Sequence, residues 1–75
     1  MPLVTVKVIE NVFTPEQKVR MVKKLTDVMV EIEGNNLRNY TSVIIEDIKE
    51  GDWAIGGNPL TAKDVQRIQR GEIAA

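Results

Sequence analysis

The sequence predicts an α+β fold, a β-α-β unit followed by a short hairpin and a second helix. Three observations predict it. An apolar, β-branched run near the start gives way to a long amphipathic stretch, a second β-branched run follows, and a glycine-rich segment precedes a capped helix start at Thr61.

From Leu3 to Ile9 only Thr5 and Lys7 interrupt an apolar run, which reads as a strand covered on both faces. After Asn11-Val12-Phe13 comes Thr14-Pro15-Glu16-Gln17, with an N-cap hydroxyl, proline at the first helical position and glutamine three residues past the cap. Met21, Val22, Leu25, Val28, Met29 and Ile32 then recur at helical spacing, while Lys18, Arg20, Lys23, Lys24, Asp27 and Glu31 fill much of the remaining circumference. Gly34 ends the helix and suits a left-handed cap, and at about 1.5 Å per residue the element is roughly 30 Å long, enough to recross a sheet.

Past a turn at Asn35-Asn36, Tyr40-Thr41-Ser42-Val43-Ile44-Ile45 reads as the second strand. A helical crossover implies that the two strands are parallel and the connection right-handed. Gly51-Asp52-Trp53-Ala54-Ile55-Gly56-Gly57 predicts a turn or short hairpin that carries an aromatic side chain outward. Thr61 with Asp64 three residues later opens a short helix anchored by Val65 and Ile68, with Arg67 and Arg70 near its negative end and Gly71 as its stop.

Seventy-five residues are expected to form one domain spanning 1–75, and a core of that size rarely supplies more than about 3–5 kcal/mol unaided. The absence of cysteine and histidine excludes disulfides, thiol nucleophiles, Ser-His-Asp triads and histidine metal sites. Oligomerisation is the remaining source of stability. A two-stranded parallel sheet under one helix would leave a face and its edges uncovered, so the chain is expected to pair with copies of itself. A net charge of -1 without an aromatic-laced basic run argues against nucleic acid. Strand-sized apolar runs and an uncharged leader argue against a membrane span or signal peptide, so a cytoplasmic location is expected.

Pro2 directly follows Met1. Removal of the methionine would expose a secondary amine held in a ring, able to act as base or nucleophile. A small second residue also simply permits that removal, so the position alone does not establish catalysis.

Four features together resemble the 4-oxalocrotonate tautomerase family: Met1-Pro2 before an apolar strand, Glu16-Gln17-Lys18 at a helix start, Val43-Ile44-Ile45 before an acidic pair, and Gly51-Asp52-Trp53-Ala54-Ile55-Gly56-Gly57. The resemblance spans roughly residues 2 to 58. It implies that Pro2 is the catalytic base and that Trp53 lines the apolar part of the site. It also implies dimers with a four-stranded sheet, three of which assemble into a hexamer with active sites between subunits. The chain departs from the family where a first arginine would follow the first strand, a place taken by Val12-Phe13 with an inserted residue. Ser42 stands in place of the second arginine, and Arg38 lies four residues earlier. Without these arginines the usual bidentate hold on a dicarboxylate is missing.

The expected activity is keto-enol conversion of a small 2-hydroxy-dienoate or arylpyruvate-like enol. An α-amino group ordinarily titrates at about 7.7–8.0, and apolar surroundings formed by Leu3, Ile9, Phe13 and Trp53 would lower that value by disfavouring the ammonium. Ile9, Phe13, Trp53, Arg38 and Ser42 are the substrate-binding candidates, and Arg38, Ser42, Lys7 or a backbone amide near the insertion could meet enolate charge. Each has a plainer reading. Trp53 could plug a subunit seam, Arg38 could be solvated beside a turn, and Lys7 could guard an edge strand. Glu46-Asp47 with Glu50 and Asp52 read as solvated carboxylates rather than a metal site. No metal or cofactor is expected.

The alternatives are a haloacrylate hydratase or dehalogenase, a 3-oxo acid decarboxylase using protonated Pro2, and a non-catalytic oligomer of the same fold. A homo-oligomer is expected, and a mixed assembly with a paralogous chain supplying the missing arginine is a further option.

Overall fold

A computed structural model describes residues 2–72. Its elements run β1 (Leu3–Ile9), α1 (Pro15–Glu33), a 3-10 helix (Asn35–Tyr40), β2 (Ser42–Ile48), β3 (Ala54–Ile55), β4 (Asn58–Pro59) and α2 (Ala62–Gln69). β1 and β2 form one two-stranded sheet, and β3 and β4 another. The Ser42 N–H donates to the Pro2 carbonyl at 3.0 Å, and the Glu10 N–H donates to Ile48 at 2.9 Å. Low numbers pair with low and high with high, so β1 and β2 are parallel and α1 is their crossover.

The chain divides into two units, one drawn from Met1–Val6 and Thr14–Glu46, the other from Lys7–Phe13 and Asp47–Ala75. In the first unit, α1 starts as its sequence dictates. The Thr14 hydroxyl accepts from the Gln17 N–H at 3.1 Å, and the Gln17 side chain accepts from the Thr14 N–H at 2.8 Å. These reciprocal bonds satisfy two donors that a helix start would otherwise leave open.

The buried side of α1 is rotated from the predicted stripe. Val30, outside that stripe, is only 8% exposed, whereas Val28 and Ile32 are 52% and 78% exposed. Met21, Val22, Leu25 and Met29 remain half-buried. Spacing alone marks a broad apolar arc, and packing chooses which flank of it turns inward.

Gly34 ends α1 through its N–H on the Val30 carbonyl at 2.8 Å, but with φ 101° and ψ 150° it is not in the left-handed helical region. It passes directly into the 3-10 helix, which replaces the predicted simple turn and claims Tyr40. The second strand consequently begins at Ser42 and continues to Ile48, rather than occupying Tyr40–Ile45. The Thr41 hydroxyl lies within reach of the Leu37 carbonyl at 2.8 Å and of the Glu33 carboxylate, and its single proton serves one of the two at a time. Side-chain bonds thus close the 3-10 segment before extension can begin.

β1 also departs from expectation. Leu3, Thr5 and Lys7 are exposed while Val4 and Val6 are half-buried. Over Leu3–Lys7 the strand alternates, as a sheet with one covered face does, whereas at its end Val8 and Ile9 are both buried. Leu3 and Ile44, 59% and 45% exposed, keep apolar surface in water.

In the second unit, Val8, Ile9 and Ala62 are buried. β3 and β4 pair antiparallel, with Ala54 opposite Pro59 and Ile55 opposite Asn58. The two-residue loop between them has φ of 58° at Gly56 and 82° at Gly57. Two successive positive φ angles are what a type I′ hairpin turn requires, and glycine adopts them without a Cβ clash. α2 repeats the capping logic of α1: the Thr61 hydroxyl accepts from the Asp64 N–H at 3.2 Å, and the Asp64 carboxylate accepts from the Thr61 N–H at 2.9 Å.

Candidate active site

The second unit contains an apolar cavity of about 370 Å³, lined by the end of β1, the following loop, the hairpin and α2. Ile9 and Phe13, two of the substrate-binding candidates, share its wall with Trp53. Trp53 is half-buried, so it faces this cavity instead of pointing outward. The loop contributes Val12, the hairpin Ile55, and the segment around α2 Leu60, Val65 and Ile68. Lys7 is the sole charged liner.

Such a volume lies within the range of small-molecule sites, about 300–1,000 Å³. Burying a carboxylate against so apolar a wall without a partner would be strongly unfavourable, whereas an aryl or alkyl body gains from it. The lining therefore suits a ligand with one apolar end.

Val65 and Ile68 had their place in the sequence as anchors of α2, but nothing local marked them as cavity residues. Their three-residue spacing puts them on one face of α2, and only the fold turns that face toward Phe13 and Trp53.

Pro2, Arg38 and Ser42 belong to the first unit, and none of them lines the cavity. Pro2 is half-buried, and its carbonyl is held by the Ser42 N–H at 3.0 Å. The structure therefore sets Pro2 and Ser42 side by side through their backbones. Leu3, expected to shield Pro2, is 59% exposed. Met1, whose removal Pro2 chemistry requires, lies outside the described residues.

Arg38 is engaged. Its guanidinium lies 3.0 Å from the Asp27 carboxylate, and its Nε donates to Asn35 Oδ1 at 3.5 Å. An arginine already facing a carboxylate is less available to a substrate anion.

Glu50 corrects the reading of a solvated carboxylate. It accepts from the Ala62 N–H at 2.5 Å and from Asn11 Nδ2 at 3.2 Å. Among the described residues, no cluster of three or more carboxylates could hold a metal ion. Asp64 has its carboxyl pKa lowered, first by the hydrogen bond from the Thr61 backbone, then by the Thr61 side chain and the charge of Arg67. Among the described residues no helix is long and apolar enough to cross a membrane.

A parallel β-α-β unit carrying a hairpin, a capped second helix and an apolar pocket defines a small α+β protein with a candidate site for a small molecule. Comparison with known proteins makes this specific. Residues 2–63 match the model of the Tautomerase family, described as tautomerase enzymes. Probable tautomerase K2 of Dickeya dadantii (strain 3937) is 32% identical over 66 residues, covering 88% of this chain and 97% of that protein. A structure from work on the 4-oxalocrotonate tautomerase isozymes of Methylibium petroleiphilum superposes with a TM-score of 0.70 at 33% identity, covering 88% of this chain and 100% of its own. The crystal structure of another 4-oxalocrotonate tautomerase homologue gives a TM-score of 0.69 at 26% identity, covering 85% and 95%. The chain belongs to the tautomerase family, and the resemblance read in its sequence is borne out.

Proposed function

We propose that this tautomerase interconverts the enol and keto forms of a small 2-hydroxy-dienoate or arylpyruvate-like acid, with the Pro2 nitrogen as general base once Met1 is removed. The observation that carries this reading is the anchoring of Pro2. Its carbonyl is tied to β2 by the Ser42 N–H at 3.0 Å, which supports a ring nitrogen kept near the head of the sheet once Met1 is gone. Positioning of that kind is what proton transfer needs.

In the reaction, neutral Pro2 takes the proton from the enol hydroxyl. The C–O bond becomes a carbonyl as the double bond shifts, and the resulting ammonium returns its proton to carbon. The proton count closes without a co-reactant. Because Pro2 lies outside the cavity, this reading has the apolar wall with Ile9, Phe13 and Trp53 of one chain serve the Pro2 of another, and that wall supports an arylpyruvate-like substrate over a dicarboxylate. With Arg38 occupied by Asp27, Ser42, whose backbone N–H meets the Pro2 carbonyl, is the donor this reading assigns to the enolate.

Self-association completes the proposal. Leu3 and Ile44 on the sheet and Val28 and Ile32 on α1 are exposed, and a small chain gains by covering them. Dimers with a four-stranded sheet, assembled into a hexamer, would do so and would bring a second chain's surfaces to each Pro2.

Pro2→Ala tests the assignment. The expected loss in kcat/KM is about 10²- to 10⁴-fold, the usual contribution of a positioned general base. Full turnover by the substituted protein, checked by mass to lack Met1, would remove Pro2 from the mechanism.

A further inference from the structure

We infer that Glu50 is a positioning residue that sets the width of the apolar cavity by tying its two walls together. One wall is the loop after β1, which carries Val12 and Phe13; the other is Leu60 with Val65 and Ile68 of α2. Glu50 reaches both. Its Oε2 accepts from Asn11 Nδ2 at 3.2 Å, and its Oε1 accepts from the Ala62 N–H at 2.5 Å. Glu50 is itself steadied through its own N–H, which donates to Glu10 Oε1 at 3.2 Å.

Two further bonds run in the same sense. Gln66 Nε2 on α2 donates to the Asn11 carbonyl at 3.4 Å. Leu60 donates its N–H to the Trp53 carbonyl at 2.7 Å and accepts from the Gly51 N–H at 3.0 Å, fixing the base of the hairpin. Asn11 has φ 67°, a left-handed conformation that asparagine tolerates better than most residues. Held there by Glu50 and Gln66, Asn11 aims the next two residues, Val12 and Phe13, at the cavity.

The physical logic is preorganisation. A carboxylate at the first N–H of α2 also meets the positive end of that helix, so the bond to Ala62 is charge-assisted and outlasts a neutral one. Walls fixed before the ligand arrives need no ordering on binding. Glu50 would thereby act on substrate affinity through Phe13 and Trp53 without touching substrate.

Two readouts test this. Trp53 is the only tryptophan in the chain, so its fluorescence reports the cavity directly. In Glu50→Ala, acrylamide quenching of Trp53 should rise roughly twofold with a red shift in emission, and KM should rise about tenfold while kcat changes less than about threefold. Glu50→Gln should restore both toward wild type, because its amide oxygen can accept from Ala62 and the Asn11 amide can turn to receive its NH₂.

Unchanged quenching and KM in Glu50→Ala would overturn the inference, as would a Glu50→Gln protein that behaves like Glu50→Ala with helical content intact. Should Glu50→Ala lose its circular dichroism, Asn11→Ala removes one arm of the clamp and must show the same changes at smaller size; wild-type quenching there also overturns the inference. The kinetic arm rests on the tautomerase reading, and the fluorescence arm does not. An active Pro2→Ala protein would therefore leave the clamp standing.

Discussion

Replacing Trp53 by alanine probes the cavity where it has its largest flat surface. Trp53 lines the pocket together with Phe13 and Ile55, and its half-buried state leaves part of the indole available to a ligand. An aryl ring stacked on it would bury on the order of 50 Å² of indole surface, which at about 25 cal/mol per Å² contributes roughly 1.3 kcal/mol. Aromatic stacking adds about 0.5–1.5 kcal/mol. The sum of about 1.8 to 2.8 kcal/mol corresponds to a KM increase of roughly 20- to 100-fold for an arylpyruvate enol. The hairpin should survive the change, because the bond from Leu60 goes to the Trp53 carbonyl and not to the indole. The assay is steady-state decay of enol absorbance, run beside far-ultraviolet circular dichroism. Trp53→Phe should recover most of the affinity. A KM within twofold of wild type in a folded Trp53→Ala protein would show that substrate does not use this wall. An equal loss for a linear dienoate would remove the aromatic argument.

Two further outcomes concern the helices. Thr14→Ala removes the acceptor for the Gln17 N–H and should destabilise the protein by about 1 kcal/mol in urea denaturation; an unchanged midpoint would mean that solvent caps α1 equally well. Asp64 makes the acid response of α2 predictable. Its carboxyl pKa is lowered below the ordinary 3.8, chiefly by the Thr61 backbone bond. Folding therefore favours its charged form, and the stabilisation is complete well above pH 3.8. That stabilisation declines below this value and is gone once pH falls past the lowered folded value. Asp64→Asn should lack this component of acid sensitivity, so parallel acid titrations of the two proteins would count against the cap.

Features resting on neighbours three or four residues apart were legible in the chain. Thr14 with Gln17 and Thr61 with Asp64 each close a reciprocal pair within one helical turn, and propensity, proline placement and capping agree at both starts. β1 was legible to the residue, and the glycine-rich segment announced a turn or short hairpin, whose two glycines take positive φ. The family could be read as well, because its four motifs occur in order along a short chain.

What the linear pattern left open depends on contacts between distant residues. It gave α1 an apolar arc but not the flank that packs, so Val30 was overlooked while Val28 and Ile32 were assigned inward. The carboxylate of Glu50 looked solvated because its partners, Ala62 and Asn11, lie 12 and 39 residues away. The cavity wall likewise gathers Ile9 and Phe13 with Trp53, Leu60 and Ile68. Hydrogen-bond caps are decided within a turn of backbone, whereas burial and side-chain partnership are decided by which surfaces the folded chain brings within a few ångströms, and that depends on closing loops across half its length.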